Sequence, residues 1–254
     1  MSGHSKWAQI KRQKGVTDAR RGQLFTKLTR EIIVAVHEGD ASSEKNFRLK
    51  LAIQKARDHN MPLENIERAI KRGSGEIGEG ANLTEMNLEG YGPNGIAILL
   101  QALTDNRNRT LQEIRNIFSR GGASLGESGC VLWLFDPKGV ITVESQGAEA
   151  EELALYAIDA GAEDVKIEKS YVDIHTKPEN LDAMRKAIEQ REMPIVSAEL
   201  SMIPKSVVPL DDKSALQTIK LLDRLEEMDE IQRVYSNADF SEAVLEQYRS
   251  QVGT

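Results

Sequence analysis

Four glycines stand within eight residues at Gly73-Ser-Gly-Glu-Ile-Gly-Glu-Gly80, and this break separates two different hydrophobic patterns. Glycine loses more conformational freedom on ordering than any other residue, so the run reads as a hinge between domains. Ahead of it the apolar residues repeat every three or four positions. Phe25, Leu28, Ile32 and Val36 form one stripe, Leu49, Ala52, Ile53 and Ala56 a second, and Leu63, Ile66 and Ile70 a third. The spacing predicts three amphipathic helices, over 18–39, 43–59 and 62–73, each with one face to bury against the other two. Residues 1–17 show no period and read as a basic tail.

Beyond the hinge the pattern shortens. Strands are predicted over 84–90, 95–104, 129–136, 139–144, 163–168, 171–175, 195–203, 205–209 and 230–236, and helices over 110–120, 148–160, 179–190 and 212–227. Thr110-Leu-Gln-Glu113 reads as a capping box for the first of these helices. Residues 138–203 then spell β-α-β-β-α-β, the split βαβ or ferredoxin-like order. The flanks 95–136 and 205–236 each spell β-α-β, and joined they make a second such unit, with strand 84–90 left over. The predicted class is α+β, an N-terminal three-helix domain followed by two ferredoxin-like α/β domains, the third inserted into the second. Its boundaries fall at 1–76 for tail and helices, at 82–136 with 204–240 for the discontinuous domain, and at 137–203 for the insert. A tandem arrangement cut near 160 is the alternative, and it leaves half-units with unpaired sheets.

The 254 residues carry a formal net charge of −7, which by itself argues against nucleic acid, but the sum hides a polarity. Residues 1–76 hold 16 Lys and Arg against 9 Asp and Glu, while the rest hold 17 against 31, giving +7 and −14. A basic module on an acidic body is the plain reading. With 40% hydrophobic and 29% charged residues, the chain is too apolar for disorder and too polar for a membrane protein. Its longest apolar runs, 32–36 and 130–135, fall far short of the roughly 20 residues of a membrane-spanning helix. The start has no apolar stretch of the secretory kind. The single cysteine, Cys130, excludes an internal disulfide or a thiolate zinc cluster. These features predict a cytoplasmic protein without membrane contact.

Catalytic patterns do not assemble. Gly90-Tyr-Gly-Pro-Asn-Gly95 fits the dinucleotide-binding spelling, yet Pro93-Asn94-Gly95 is a turn signal and the segment after it reads as a strand. It is a hairpin turn. Ser42-Ser-Glu-Lys45 lacks the partner motifs of acylating serine enzymes and reads as a helix start. His4, His37, His59 and His175 share no metal-ligand spacing. Cys130 opens the run Cys-Val-Leu-Trp-Leu-Phe, where burial in a strand outweighs use as a nucleophile. The chain is predicted to be no enzyme, with no cofactor and no metal.

The opening is the informative part. Lys6, Trp7, Lys11, Arg12, Lys14, Arg20, Arg21, Lys27 and Arg30 place eight cations and one aromatic ring in thirty residues against a single acid, Asp18. Such an arm tracks phosphates, with Trp7 available to stack on a base. Arg48 and Lys55 on the second helix and Arg68, Lys71 and Arg72 on the third extend the stripe. The plainer reading packs Trp7 on the bundle and leaves the cations solvated. In the acidic half, Thr104-Asp-Asn-Arg-Asn-Arg-Thr110 projects Arg107 and Arg109. These suit a phosphate or a partner's carboxylate, or equally a pairing with local acids.

Several of these blocks carry a resemblance. The opening Met1-Ser-Gly-His-Ser-Lys-Trp7, Ile10-Lys11, Arg21-Gly22, Lys27-Leu28 and Arg30-Glu31-Ile32 resemble the YebC/PmpR family, as do Met61-Pro62, Ile66–Ile70, Gly90-Tyr-Gly-Pro93 and the Thr104–Thr110 block. The similarity runs from the first residue to about Tyr235. It implies one helical and two α/β domains without known catalysis. Members are widely labelled DNA-binding transcriptional regulators, and some, including a mitochondrial translational activator, are tied to translation and the ribosome. The basic opening and Arg107 and Arg109 are the positions that carry over. The sequence thus predicts a nucleic-acid-binding regulator of gene expression, on DNA or on structured RNA such as the ribosome's, with a protein partner for its acidic domains. A protein-binding adaptor without nucleic-acid contact is the alternative.

Overall fold

The computed structural model of the chain describes residues 18–77, 83–168 and 170–252. Helices α1 (Asp18–His37), α2 (Phe47–Asp58) and α3 (Leu63–Gly73) bury their stripes together, with Leu28, Ile32, Leu49, Ala52, Ile66 and Ala69 in one core. α2 starts later than its predicted 43 because Asn46 is the cap. Its side-chain oxygen accepts from the Leu49 amide, while its nitrogen donates to the carbonyls of Ala35 and Asp40. One buried side chain thereby closes the end of α1 on the start of α2 with its polar atoms satisfied. A Cβ on Gly39 would lie 2.6 Å from that Asn46 nitrogen, and one on Gly73 would lie 2.8 Å from the Ile33 carbonyl oxygen. Gly73 therefore ends α3 and also lets it approach α1 closely.

The remaining elements are β1 (Thr84–Tyr91), β2 (Ala97–Thr104), α4 (Arg107–Arg120), β3 (Ser124–Leu125), β4 (Phe135–Glu144), α5 (Ala148–Asp159), β5 (Asp164–Ile167), β6 (Tyr171–Thr176), α6 (Leu181–Glu189), β7 (Ile195–Pro204), β8 (Val208–Pro209), α7 (Asp212–Glu226), β9 (Ile231–Ser236), β10 (Ala238–Asp239) and α8 (Glu242–Val252). They fall into two compact units. One comprises the described residues up to Phe135 with those from Pro204 onward, and the other is Asp136–Ile203.

In the second unit the sheet order is β5-β6-β4-β7. β6 lies antiparallel between β4 and β5, with Val143 opposite Val172 and Val165 opposite Ile174. This is the ferredoxin-like order, with the helix-linked strands β4 and β5 split by the third strand. Ile141, Val143, Val172, Ile174, Leu153, Ala157, Leu181, Met184 and Ile188 are among its buried apolar side chains.

The first unit has the sheet order β3-β1-β2-β9, built differently from the expectation. The place of the third strand belongs to β1, the strand left over in the sequence reading. β1 and β2 pair in register from Thr84 opposite Thr104 to Tyr91 opposite Ala97, joined by the turn at Gly92–Ile96 in which Asn94 and Gly95 take positive φ. The segment predicted at 205–209 yields only the two residues of β8, paired with β10 outside the sheet. Pro204 precedes the segment and Pro209 ends it, and neither can donate to a ladder. α4, α7 and α8 cover the sheet with Ile114, Phe118, Ile219, Leu222, Val244 and Tyr248 in one core, so the unit extends past the predicted limit of 240 through α8.

The predicted strand at 129–136 is instead a loop and a short turn of 3₁₀ helix, Leu132–Leu134. Its organiser is Glu89 on β1, whose buried carboxylate accepts the amides of Gly129, Val131 and Leu132 at 2.6, 2.7 and 2.7 Å. Burial pushes this carboxyl up, but the three amides outweigh it and hold it below its ordinary value. The alternation of strand residues is broken because one carboxylate gathers consecutive amides to the same side. Trp133 is left 65% exposed, its indole N–H donating to the Cys130 carbonyl, which also accepts the Tyr91 hydroxyl.

Candidate nucleic-acid interface

Of the cations that the sequence proposes, Lys6, Trp7's neighbour, lies outside the described residues, as do Trp7, Lys11, Arg12 and Lys14, and so does the side chain of Arg20. The structure places the others on α1, where they divide into two sets. Lys27 donates from Nζ to the Glu226 carbonyl, beside Gln23, which donates to the Glu227 carbonyl at 2.9 Å. These are the last carbonyls of α7, where the helix dipole favours a cation. Arg30 donates to the Leu103 carbonyl at 3.2 Å and lies 3.9 Å from Glu230. Lys27 and Arg30 therefore fasten the helical domain to the first sheet. Arg21 remains exposed, 5.5 Å over the Phe25 ring.

Arg48 is likewise engaged, with Glu31, Glu38 and Glu85, tying α1, α2 and β1 together. Burial lowers its pKa, and the three carboxylates more than reverse this. The cations of α3 differ. Arg68, Lys71 and Arg72 are exposed and make no side-chain ion pair among the described residues. Repeated at three- and four-residue spacing, they present positive charge to solvent along one helix.

The Thr104–Thr110 block sits beside this face. Asn106 caps α4 by accepting the Arg109 amide at 3.1 Å, so the predicted capping box at Thr110 does not form. Thr110 instead turns inward, its hydroxyl 2.8 Å from that of Thr104. Arg107 and Arg109 consequently fall in the first turn of α4, where the dipole disfavours cations and no acidic residue stands. Arg109 is compensated by Asp105 at 2.8 Å and Glu230 at 3.4 Å. Arg107 is exposed and unpaired among the described residues.

Glu230 thus links Arg30 of the helical domain to Arg109 of the first sheet, two motifs far apart in sequence. Where they meet is a cleft of about 470 Å³, lined by Phe25, Thr26, Thr29 and Arg30 of α1, Asn65 and Arg72 of α3, and Asp105. Ile33, Met61 and Leu83 complete its apolar wall.

Two family models cover most of the chain. Residues 5–76 match the TACO1/YebC protein N-terminal domain, and residues 83–238 match the TACO1/YebC second and third domain. The chain belongs to the TACO1/YebC family. Among its relatives is a protein of Dehalococcoides mccartyi named probable transcriptional regulatory protein, 56% identical over 99% of this chain and 100% of its own length. One of the same name from Moorella thermoacetica is 55% identical over 97% and 99%. The crystal structure of a conserved hypothetical protein from Aquifex aeolicus superimposes with a TM-score of 0.85 at 47% identity, covering 93% of this chain and 98% of that one.

The Thr104–Thr110 block contributes Asp105 to the lining of this cleft. Sequence reasoning singled out its arginines and the α3 cations but missed Asn65 and Asp105 as lining groups. Only the packing of α1 on α3, together with the contact of Arg30 with the Leu103 carbonyl, brings them together. Elsewhere, burial and the neighbouring Glu89 push the Cys130 thiol above its ordinary value, the opposite of an activated nucleophile. Among the described residues no helix is long and apolar enough to cross a membrane, and no group of metal-ligating side chains clusters.

Proposed function

We propose that this chain is a nucleic-acid-binding regulator of gene expression that acts in the cytoplasm without catalysing a reaction. Its basic end engages phosphates, and its acidic α/β domains keep the nucleic acid to that end or receive a protein partner. The observation that carries this reading is a set of exposed cations with no ion-pair partner among the described residues, Arg68, Lys71, Arg72 and Arg107, of which Arg72 lines the cleft. The names of the relatives support a role in transcription. The charge layout favours structured RNA at least as well, because a long duplex lying across the acidic half would be repelled.

Titration of the full chain with duplex DNA and with a structured RNA at several salt concentrations tests this. Neutralising about five phosphates gives a slope of log K against log salt of about −4.5 on duplex and −3.5 on single strands. Replacing Lys11, Arg12, Lys14, Arg20 and Arg21 by Ala flattens it. Absence of binding to both polymers at low salt overturns the reading and leaves a protein-binding adaptor.

A further inference from the structure

We propose that the cleft between α1, α3 and the Thr104–Thr110 block receives one unstacked nucleotide of the bound nucleic acid. This deepens the nucleic-acid reading above and rests on it. At about 470 Å³ the cleft lies within the roughly 300–1,000 Å³ range of small-molecule sites, enough for one nucleotide and too small for a stacked run. A base inside a duplex has both faces covered, so only a bulged, looped or flipped one enters such a space.

The lining matches the parts of a nucleotide. Arg72 is exposed with no ion-pair partner among the described residues, and Arg30, although it donates to the Leu103 carbonyl and lies 3.9 Å from Glu230, has further N–H groups, so two guanidinium groups line the space for one phosphate. Phe25 supplies the flat apolar surface, and the Arg21 guanidinium lies 5.5 Å over its ring. Thr26 and Thr29 donate their hydroxyl protons to the carbonyls of Gly22 and Phe25, which leaves only their lone pairs to face the cleft. They therefore act as acceptors. Asp105 gives one carboxylate oxygen to Arg109 and has a second, also an acceptor. Asn65 lines the same space with a side-chain amide that has no partner among the described residues, adding both donors and an acceptor. Acceptors for ring N–H and amino groups, an amide to fix the edge, an aromatic face and two cations for the phosphate together describe a nucleotide more closely than a free anion. A free anion would use the guanidinium groups but leave the acceptors, the amide and the aromatic face unmatched.

The test uses the full chain and two labelled RNA hairpins, one fully paired and one with a single bulged adenosine, together with their deoxy counterparts. The bulged form is expected to bind about fivefold more tightly or better, the lower end of what one stacked base contributes. Asn65→Ala and Thr29→Val are expected to bring the ratio of bulged to paired affinity towards one, and Phe25→Leu, which keeps an apolar side chain against α3, does the same. The RNA and DNA arms identify which polymer supplies the nucleotide. Salt-dependent binding with equal affinities for bulged and paired forms of both polymers overturns the cleft proposal while the nucleic-acid reading stands. A preference for the bulge that survives all three substitutions also overturns it. Failure of every hairpin to bind removes both readings.

Discussion

The two four-stranded sheets have the same layout and reach it by different routes. In Asp136–Ile203 the chain lays down its strands in ferredoxin-like order, with β6 returning between β4 and β5. In the first unit the equivalent place, between β2 and β3, is filled by β1 from the N-terminal side. A hairpin turn brings β1 to β2 at little entropic cost, whereas a strand after β3 must close a much longer loop. With the third-strand place already occupied, the connection from β3 to α7 carries no ladder obligation. It is there that the second unit is inserted. The crossover helices differ as well. α5 has Glu149 and Glu151 in its first turn, in accord with the helix dipole, whereas α4 has Arg107 and Arg109 and no acid. The charge at the start of α4 therefore opposes the dipole that the charge at the start of α5 supports.

If the two units are separate cooperative structures, the largest local lesion separates them. Phe118 on α4 is 1% exposed in the core of the first sheet. Phe118→Ala is expected to cost that unit about 3–5 kcal/mol, read as lost amide-exchange protection in β1, β2 and α7. Protection in β6 and α5 stays. Equal loss in both units would show one cooperative body and break the comparison.

Next in size is Glu89, which organises an edge loop of the first unit. Glu89→Gln keeps the shape but turns an amide donor towards backbone donors, at a cost of about 2–3 kcal/mol. Exchange of the Gly129, Val131 and Leu132 amides should accelerate most. Because the native carboxyl lies below its ordinary value, its contribution is complete above the ordinary carboxyl range and is lost as pH falls through the lower native value. The variant therefore lacks that part of the acid dependence. An unchanged acid transition in Glu89→Gln would refute this account of the loop.

The second unit meets acid differently. His175 is buried, and burial, helped by Lys166 and Lys138, lowers its pKa against the opposing pull of Asp164 and Asp173. A depressed imidazole means that the unfolded chain binds the proton first. Stability from this group is complete above about pH 6.5 and declines as pH falls below it towards the native value. Mild acidification below about pH 6.5 should thus loosen β6 of the second unit while the first unit holds. His175→Gln removes that early decline. Earlier loosening of the first unit would reverse the order.

The legibility of these features in the sequence follows from the range of the forces that make them. Helical stripes such as Leu49, Ala52 and Ala56 and the uninterrupted β-α-β-β-α-β of the second unit are local patterns, and they read directly. The identity of the third strand in the first unit is a competition between β1 and the 205–209 segment, decided by prolines and loop length together. The strand predicted around Cys130 fails because a carboxylate forty residues away collects its amides. At the candidate interface the sequence marks charge without marking its use. Lys27, Arg48 and Arg72 look alike as letters, yet the first two are engaged with carbonyls and carboxylates and the third is not.

The smallest effect tests the difference between the crossover helices. If α4 carries Arg107 for a ligand, giving it the acid that α5 uses should help folding and harm binding. Arg107→Glu is expected to stabilise the first unit by about 0.3–1 kcal/mol at low salt, because an anion replaces an unpaired cation at the positive end of the helix. The converse substitution, Glu149→Arg in α5, is expected to destabilise the second unit by a similar amount of about 0.3–1 kcal/mol without changing nucleic-acid affinity. Arg107→Glu should weaken binding and reduce the salt slope by about one phosphate's share. Thermal unfolding at low and high salt, with a binding titration on the same samples, separates the two consequences. Stabilisation without loss of affinity would assign Arg107 to some role other than phosphate contact, and the contrast between α4 and α5 would then concern the fold alone.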